Sequence, residues 1–151
     1  MSVHTAKLSW TRGEQSFGDG KYSRVHDIAF DGGAHVPGSP AVGIVRAPMA
    51  SEEAVDPEEM LVAALSSCHL LFFLDFARRG GFVVDSYVDD AEGLLEKRDD
   101  GKMAVTKVTL KPKITWSGEK VPTPEDIAEL HHKTHEVCFI ANSFNGEMVI
   151  A

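Results

Sequence analysis

Cys68 and Cys138 are the only cysteines in this 151-residue chain, and they are the side chains with the most chemistry open to them. A thiol can fill core space, ligate a metal or cycle through oxidation, and its neighbours decide which. Cys68 stands in the run MLVAALSSCHLLFFL, where Ser66, Ser67 and His69 form the only polar cluster of an apolar stretch. A reactive cysteine must ionise. Cys68 lies roughly 15 Å from the start of its predicted helix, too far for the helix dipole to supply positive charge. Burial alone raises a thiol pKa. A redox Cys68 therefore demands a cation from elsewhere. Arg12, Lys21, Arg24 and Arg46 are the candidates in the N-terminal part, and Arg24 is the best placed, on a predicted strand between Ser23 and Val25.

A second cluster comprises His131, His132, His135 and Cys138. His131 and His135 are one helical turn apart, as metal ligands often are. With Cys138 and a folded-back Cys68 they would make a Cys₂His₂ zinc site in a non-catalytic metal-binding or small-ligand protein. The spacing H-x₃-H-x₂-C matches no strong zinc signature, and no CxxC pair occurs. A Cys/His/Asp hydrolase arrangement is weaker still, because His69 follows Cys68 directly and so points about 100° away on a helix. Gly18, Gly20, Gly32 and Gly33 fit neither phosphate-binding glycine pattern.

The elements that must position these residues follow from patterning. Residues 4–10 alternate as a strand, with Ala6, Leu8 and Trp10 on one face, and residues 22–30 form a second strand. Asp31-Gly32-Gly33 supplies a hairpin turn into residues 34–36. Residues 37–57 hold four of the seven prolines and read as a long ordered loop with a short strand at 42–46. Asp56 caps a helix, Pro57 takes its first position, and Glu58 and Glu59 complement its dipole. The helix runs to Arg79 and stops at Gly80-Gly81. Its uncharged middle is 15 residues long, short for a membrane span, and apolar on every side, which predicts a buried central helix. Strands follow at 82–92 and 103–116, with Pro112 as an edge or bulge signal. Thr123, Pro124 and Asp126 start a second helix whose inner stripe is Ile127, Leu130, Thr134 and Val137 or Cys138. A last strand covers 146–150. The order predicts an α+β fold, antiparallel sheets wrapped around two buried central helices, as a single domain over 1–151.

Composition narrows the function. The chain has 23 acidic and 15 basic residues, a formal charge of −8, which argues against nucleic acid and anionic membranes as partners. Two cysteines are too few for a disulfide scaffold. The opening MSVHTAKLSW holds no apolar signal core, so a cytoplasmic location is expected.

The segments YSRVHDIAFDGG, VDPEEMLVAALSSCHLLFFL, GFVVDSYVDDAEG and LHHKTHEVCFIANS together resemble the OsmC/Ohr family, the osmotically induced protein C and organic hydroperoxide resistance proteins. His69 directly after Cys68, and the run CFIANS that starts at Cys138, are similar to the broader OsmC-like branch. The resemblance implies a thiol peroxidase in oxidative-stress defence, with no bound metal or cofactor. Cys68 would attack an organic hydroperoxide and Cys138 would resolve it as a disulfide. Arg24 would stabilise the thiolate, and Glu58 would hold Arg24 in a bidentate pair. An external dithiol such as dihydrolipoamide would be the reductant, and the family forms intertwined homodimers. Glu58 and Cys68 are ten residues apart. That places them roughly 15 Å apart along one helix and about 80° apart around it. If both serve one reaction, Glu58 comes from another chain or the helix breaks, and the dimer is the preferred reading.

Overall fold

The computed structural model describes residues 1–151. The chain divides into two compact units, residues 1–60 and 61–151. In the first, β1 (Ala6–Ser9), β2 (His26–Phe30) and β3 (His35–Gly38) form an antiparallel sheet in the order β1-β2-β3. Leu8, Ile28 and Val36 are cross-strand partners in register, and only Ile28 of the three is buried. The hairpin closes where Gly33 adopts φ +86, a left-handed conformation that suits glycine, while Phe30 N–H donates to the Ala34 carbonyl. Arg24 precedes β2 instead of lying on a strand, and its N–H donates to Met49. The loop over 37–57 is tied at its neck, where Ser39 N–H donates to Val55 and Val55 N–H donates to Pro37. The strand expected at 42–46 is absent. The Ala41 carbonyl accepts from both Ile44 and Val45 N–H, so that segment curls into a turn.

The helix α1 (Pro57–Arg79) starts in this unit and continues into the second. Asp56 Oδ1 accepts from Glu59 N–H while Glu59 Oε2 accepts from Asp56 N–H, so two otherwise orphaned donors are satisfied reciprocally. Gly81, at φ +78, ends it.

In the second unit, β4 (Val83–Asp89) pairs with β7 (Pro112–Ser117) as a two-stranded antiparallel sheet. β5 (Glu92–Lys97), β6 (Met103–Leu110) and β8 (Glu147–Ile150) form the other, in the order β5-β6-β8. The long strand expected at 103–116 is thus split in two, and the one expected at 82–92 stops at Asp89, with β5 an additional strand beyond it. Asp89 explains both breaks: its Oδ1 accepts the Lys111 N–H, pinning the chain where it leaves one sheet and enters the other. Pro112 opens β7, the position in a strand that tolerates its missing N–H. β8 joins β6 in parallel, so the sheets are not wholly antiparallel. The capping box of Thr123 and Asp126 starts α2 (Pro124–Val137).

Two apolar clusters result. Leu65 of α1 packs with Val108 and Leu110 of β6, joined by residues such as Met148 and Ile150. Phe73 and Ala77 of α1 pack with Phe82 and Leu130, joined by Tyr87, Ile114 and Trp116. The expectation that α1 is buried on every side is corrected. Only Leu65, His69, Phe73 and Ala77, one stripe at i, i+4 spacing, are buried, and Leu71 remains 66% exposed. Leu74, on the same helix, is exposed as well. α1 is long and apolar enough to cross a membrane, with mean hydropathy 1.8 over its window, but its buried stripe is seated in protein cores.

Phe73 carries the larger load in this arrangement, meeting Tyr87, Trp116 and His131 with ring centroids at 5.6, 6.0 and 4.5 Å. Phe73→Ala is expected to lower unfolding free energy by about 3–5 kcal/mol in urea titration. A loss below about 1 kcal/mol would contradict its central place.

Candidate active site

Cys68 sits on α1, half-buried, and Cys138 caps the C-terminus of α2, fully buried, its N–H donating to the Thr134 carbonyl. Both thiols are free, and Cys68 is near enough to Cys138 to raise its pKa. Burial, and next the hydrogen bond to Cys68, push the Cys138 thiol up to about 11, against the Ala141 N–H that donates to its Sγ at 3.4 Å. Cys138 is therefore a neutral thiol at physiological pH, and Cys68 is the sulfur with access to solvent. Phe72, one turn after Cys68, meets Phe139 edge to face at 5.1 Å, so an aromatic pair spans the two cysteine-bearing segments.

Ser66, singled out in the polar cluster around Cys68, is held elsewhere. Its hydroxyl donates to Asp89 Oδ2 at 2.5 Å, and Asp89 is the carboxylate that pins Lys111. That serine fastens α1 to the strand crossover.

Arg24 and Glu58 belong to the first unit, where both line a cavity of about 390 Å³ with Ser39, Pro40 and Ile44. The expected bidentate pair between them is not formed: no ion pair joins them. Arg24 Nη1 and Nη2 donate instead to the Tyr22 and Gly20 carbonyls at 3.1 and 3.2 Å, and the guanidinium lies 4.3 Å from the Tyr22 ring centroid. The chain from Gly20 to Arg24 curls so that its own carbonyls occupy part of the fork. Five donors leave the fork further capacity. Tyr22 also stacks on Phe17 and meets Trp10 edge-on, and these rings line a second cavity, of about 250 Å³, with Arg24 and His26. α1 is unbroken from Pro57 to Arg79, which removes the broken-helix route from Glu58 to Cys68.

The zinc arrangement is not assembled. No group of three or more His, Cys, Asp or Glu side chains is placed to hold a metal ion. His132 and His135 are exposed, and His132 Nε2 lies 3.5 Å from Glu136. His131 instead turns into the core, where its Nδ1 meets His69 Nε2 at 2.9 Å. Sequence reasoning assigned neither histidine to this role. The available signal was periodicity: His69 is four residues from both Leu65 and Phe73, and His131 sits beside Leu130 and three residues before Thr134 on the inner face of α2. Burial, then the neighbouring His131 and His135, lowers His69 from 6.5 to about 4. Burial also lowers His131, with Asp89 pulling the other way.

The fold is that of the OsmC/Ohr proteins. Residues 50–151 match the family described as OsmC-like protein, and the chain belongs to that family. An OsmC-like protein of unknown function from Vibrio cholerae is 45% identical, with a TM-score of 0.98 over 100% of this chain and 99% of that one. More distant structures share the fold. An organic hydroperoxide resistance protein from Legionella pneumophila is 15% identical (TM-score 0.70, covering 100% and 98%). One from Bacillus subtilis is 17% identical (TM-score 0.65, covering 99% and 96%). Among curated proteins, none matches the chain.

The histidine pair makes stability depend on pH. The folded-state value of His69 lies below the ordinary 6.5, so the unfolded chain binds the proton more readily. The stability due to the neutral ring is complete above about pH 6.5 and is lost as pH falls through about 4. Between pH 7 and 5.5 the unfolding free energy is expected to drop by roughly 1 kcal/mol for His69 alone, and His69→Gln should flatten that slope. Urea midpoints at fixed protein concentration check this; an unchanged slope in the variant would refute it.

Proposed function

We propose that this OsmC-like protein is a cysteine peroxidase that reduces organic hydroperoxides, with Cys68 as the attacking and Cys138 as the resolving thiol. The observation that carries the reading is the proximity of the chain's two cysteines, close enough for Cys68 to raise the Cys138 thiol, with unequal burial. The hydroperoxide resistance proteins among its structural relatives support the same chemistry at the level of the family.

In this mechanism the Cys68 thiolate attacks the peroxide, the O–O bond breaks, and the alkoxide leaves as an alcohol after taking a proton. The resulting sulfenic acid condenses with the Cys138 thiol, forming the disulfide and releasing water. An external dithiol of the dihydrolipoyl type then reduces the disulfide by exchange. The aromatic pair Phe72–Phe139 favours a hydroperoxide with an apolar substituent. No metal or prosthetic group enters the scheme, and a reducing cytoplasm suits it.

The cation that ionises Cys68 is assigned to Arg24. Arg24 and Glu58 line one cavity, and Glu58 cannot reach Cys68 along an unbroken helix. In this proposal the Arg24–Glu58 pair of one copy therefore serves the thiols of a second copy. Closure of the site would turn the Arg24 fork from its own carbonyls toward Glu58. A homodimer also gives the apolar residues left open in one chain something to cover them, among them Leu71, Leu74, Leu8 and Phe30.

Two measurements test this. After one equivalent of an organic hydroperoxide, two thiols per chain should disappear and a Cys68–Cys138 disulfide should form, and Cys68→Ser should consume no peroxide; continued turnover by that variant would overturn the assignment. In light scattering the protein of 16.4 kDa should run at about twice that mass. Leu71→Asp should shift it toward monomer and lower peroxidase activity by roughly tenfold or more. A monomeric, fully active wild type would sink the two-copy site.

A further inference from the structure

His69 and His131 have no part in the peroxide chemistry above, yet they are 0% and 9% exposed and hydrogen-bonded to each other at 2.9 Å. Burying two imidazoles is unfavourable unless their polar atoms are satisfied. Here His69 Nδ1 and the neighbouring Thr134 Oγ1 have no partner. Apolar residues at both positions would avoid that cost, since replacing a buried polar pair by hydrophobic groups is often neutral or stabilising. The pair must therefore supply something that packing does not.

Its position supplies the answer. His69 adjoins Cys68 on α1, and His131 lies seven residues before Cys138 on α2, on the same helix face to within about 20°. The histidine hydrogen bond thus joins the two elements that carry the thiols, one residue from Cys68 and two helical turns before Cys138. The rings lie nearly parallel, 14° apart, and Phe73 packs against His131. Apolar contacts alone are non-directional and do not fix one helix against another, whereas a hydrogen bond between neutral rings requires one N–H and one lone pair face to face.

We propose that the His69–His131 hydrogen bond is a positioning strap that sets α1 against α2 so that Cys68 and Cys138 can close their disulfide. The proposal rests on the two-cysteine reading above. Disulfide geometry is narrow, and two free thiols must still approach to about 2 Å to bond. In the closing step the S–S bond forms and the S–O bond of the Cys68 sulfenic acid breaks. The hydroxyl departs with the Cys138 proton as water. Closure competes with a further oxidation of Cys68 to the sulfinic acid, so a preset register decides the outcome.

The test separates the strap from the peroxidase reading because its main readout needs no peroxide. Full-length protein is equilibrated in glutathione redox buffers, and the Cys68–Cys138 disulfide is quantified by mass after alkylation. His131→Leu deletes the hydrogen bond. His131→Asn keeps it, since the asparagine amide sits where Nδ1 does. His131→Leu is expected to lower the equilibrium constant for the disulfide by roughly tenfold or more, and His131→Asn to stay within about threefold of wild type. With stoichiometric organic hydroperoxide, His131→Leu should consume the first equivalent at a rate within about twofold of wild type. It should then accumulate sulfinic acid at Cys68. A disulfide constant in His131→Leu equal to wild type overturns the strap, as does an equal loss in both variants, which would indicate packing alone. Should His131→Leu fail to fold, His69→Leu against His69→Gln makes the same comparison from the other helix, the glutamine amide replacing Nε2. A wild type that consumes no peroxide refutes the peroxidase reading and leaves the glutathione comparison intact.

Discussion

Burial of one stripe of α1 is the constraint to which the second unit answers. Leu65, His69, Phe73 and Ala77 recur at four-residue spacing, so they form a single narrow ridge along the helix. The two ends of that ridge enter different apolar clusters. Leu65 joins the cluster over β6 and β8, and Phe73 and Ala77 join the cluster with β4, β7 and α2. One helix thereby carries two sheets. The chain must cross between the sheets at Asp89–Ala91 and again at Lys111. Asp89 serves both crossings, and through Ser66 it ties them to the helix.

Where the two clusters meet, the ridge is polar. His69 stands between Leu65 and Phe73 and reaches across to His131, so the seam between the cores is closed by a directional bond and not by hydrocarbon. Cys68 is displaced by one residue, about 100° around the helix from that ridge. This is why it stays half-buried while its neighbour is fully enclosed. The cysteine of α2 falls at the helix end, where the chain turns back into the short helix Ala141–Ser143, and it is enclosed by that turn. The difference in burial between the two thiols is thus a consequence of where each lies relative to the same seam.

Much of this was legible in the residues. The caps at Asp56 and Thr123, the glycine stop at Gly81 and the hairpin at Gly33 depend on local chemistry, and each appears where the pattern places it. The sequence also alternates from Val108 to Trp116, and Val108, Leu110, Ile114 and Trp116 all pack into the apolar clusters. What it concealed was the change of sheet at Pro112, because Val108 and Leu110 point into one cluster and Ile114 and Trp116 into the other while the alternation hardly changes. Depth of burial was the least legible feature. An apolar run shows that a helix has no polar face, but not how much of its surface one chain can cover. His131 was visible as a candidate ligand and His69 as a polar neighbour of Cys68, yet their pairing joins residues 62 positions apart, which local spacing does not encode.

The same limit bears on the charged residues. Arg24 lies in a segment of curled backbone whose carbonyls hold its guanidinium, while Glu58 sits in the first turn of a rigid helix facing the same cavity. An arginine held by carbonyls retains its charge and its free donors, and its fork can be redirected at little cost when a carboxylate or a thiolate comes within reach. Glu58 has no such freedom with respect to Cys68, because ten residues of unbroken helix fix the distance between them at roughly 15 Å. One straight helix therefore does not place Glu58 and Cys68 at the same atom. Leu71 and Leu74, on the part of α1 that carries Cys68, are meanwhile left exposed.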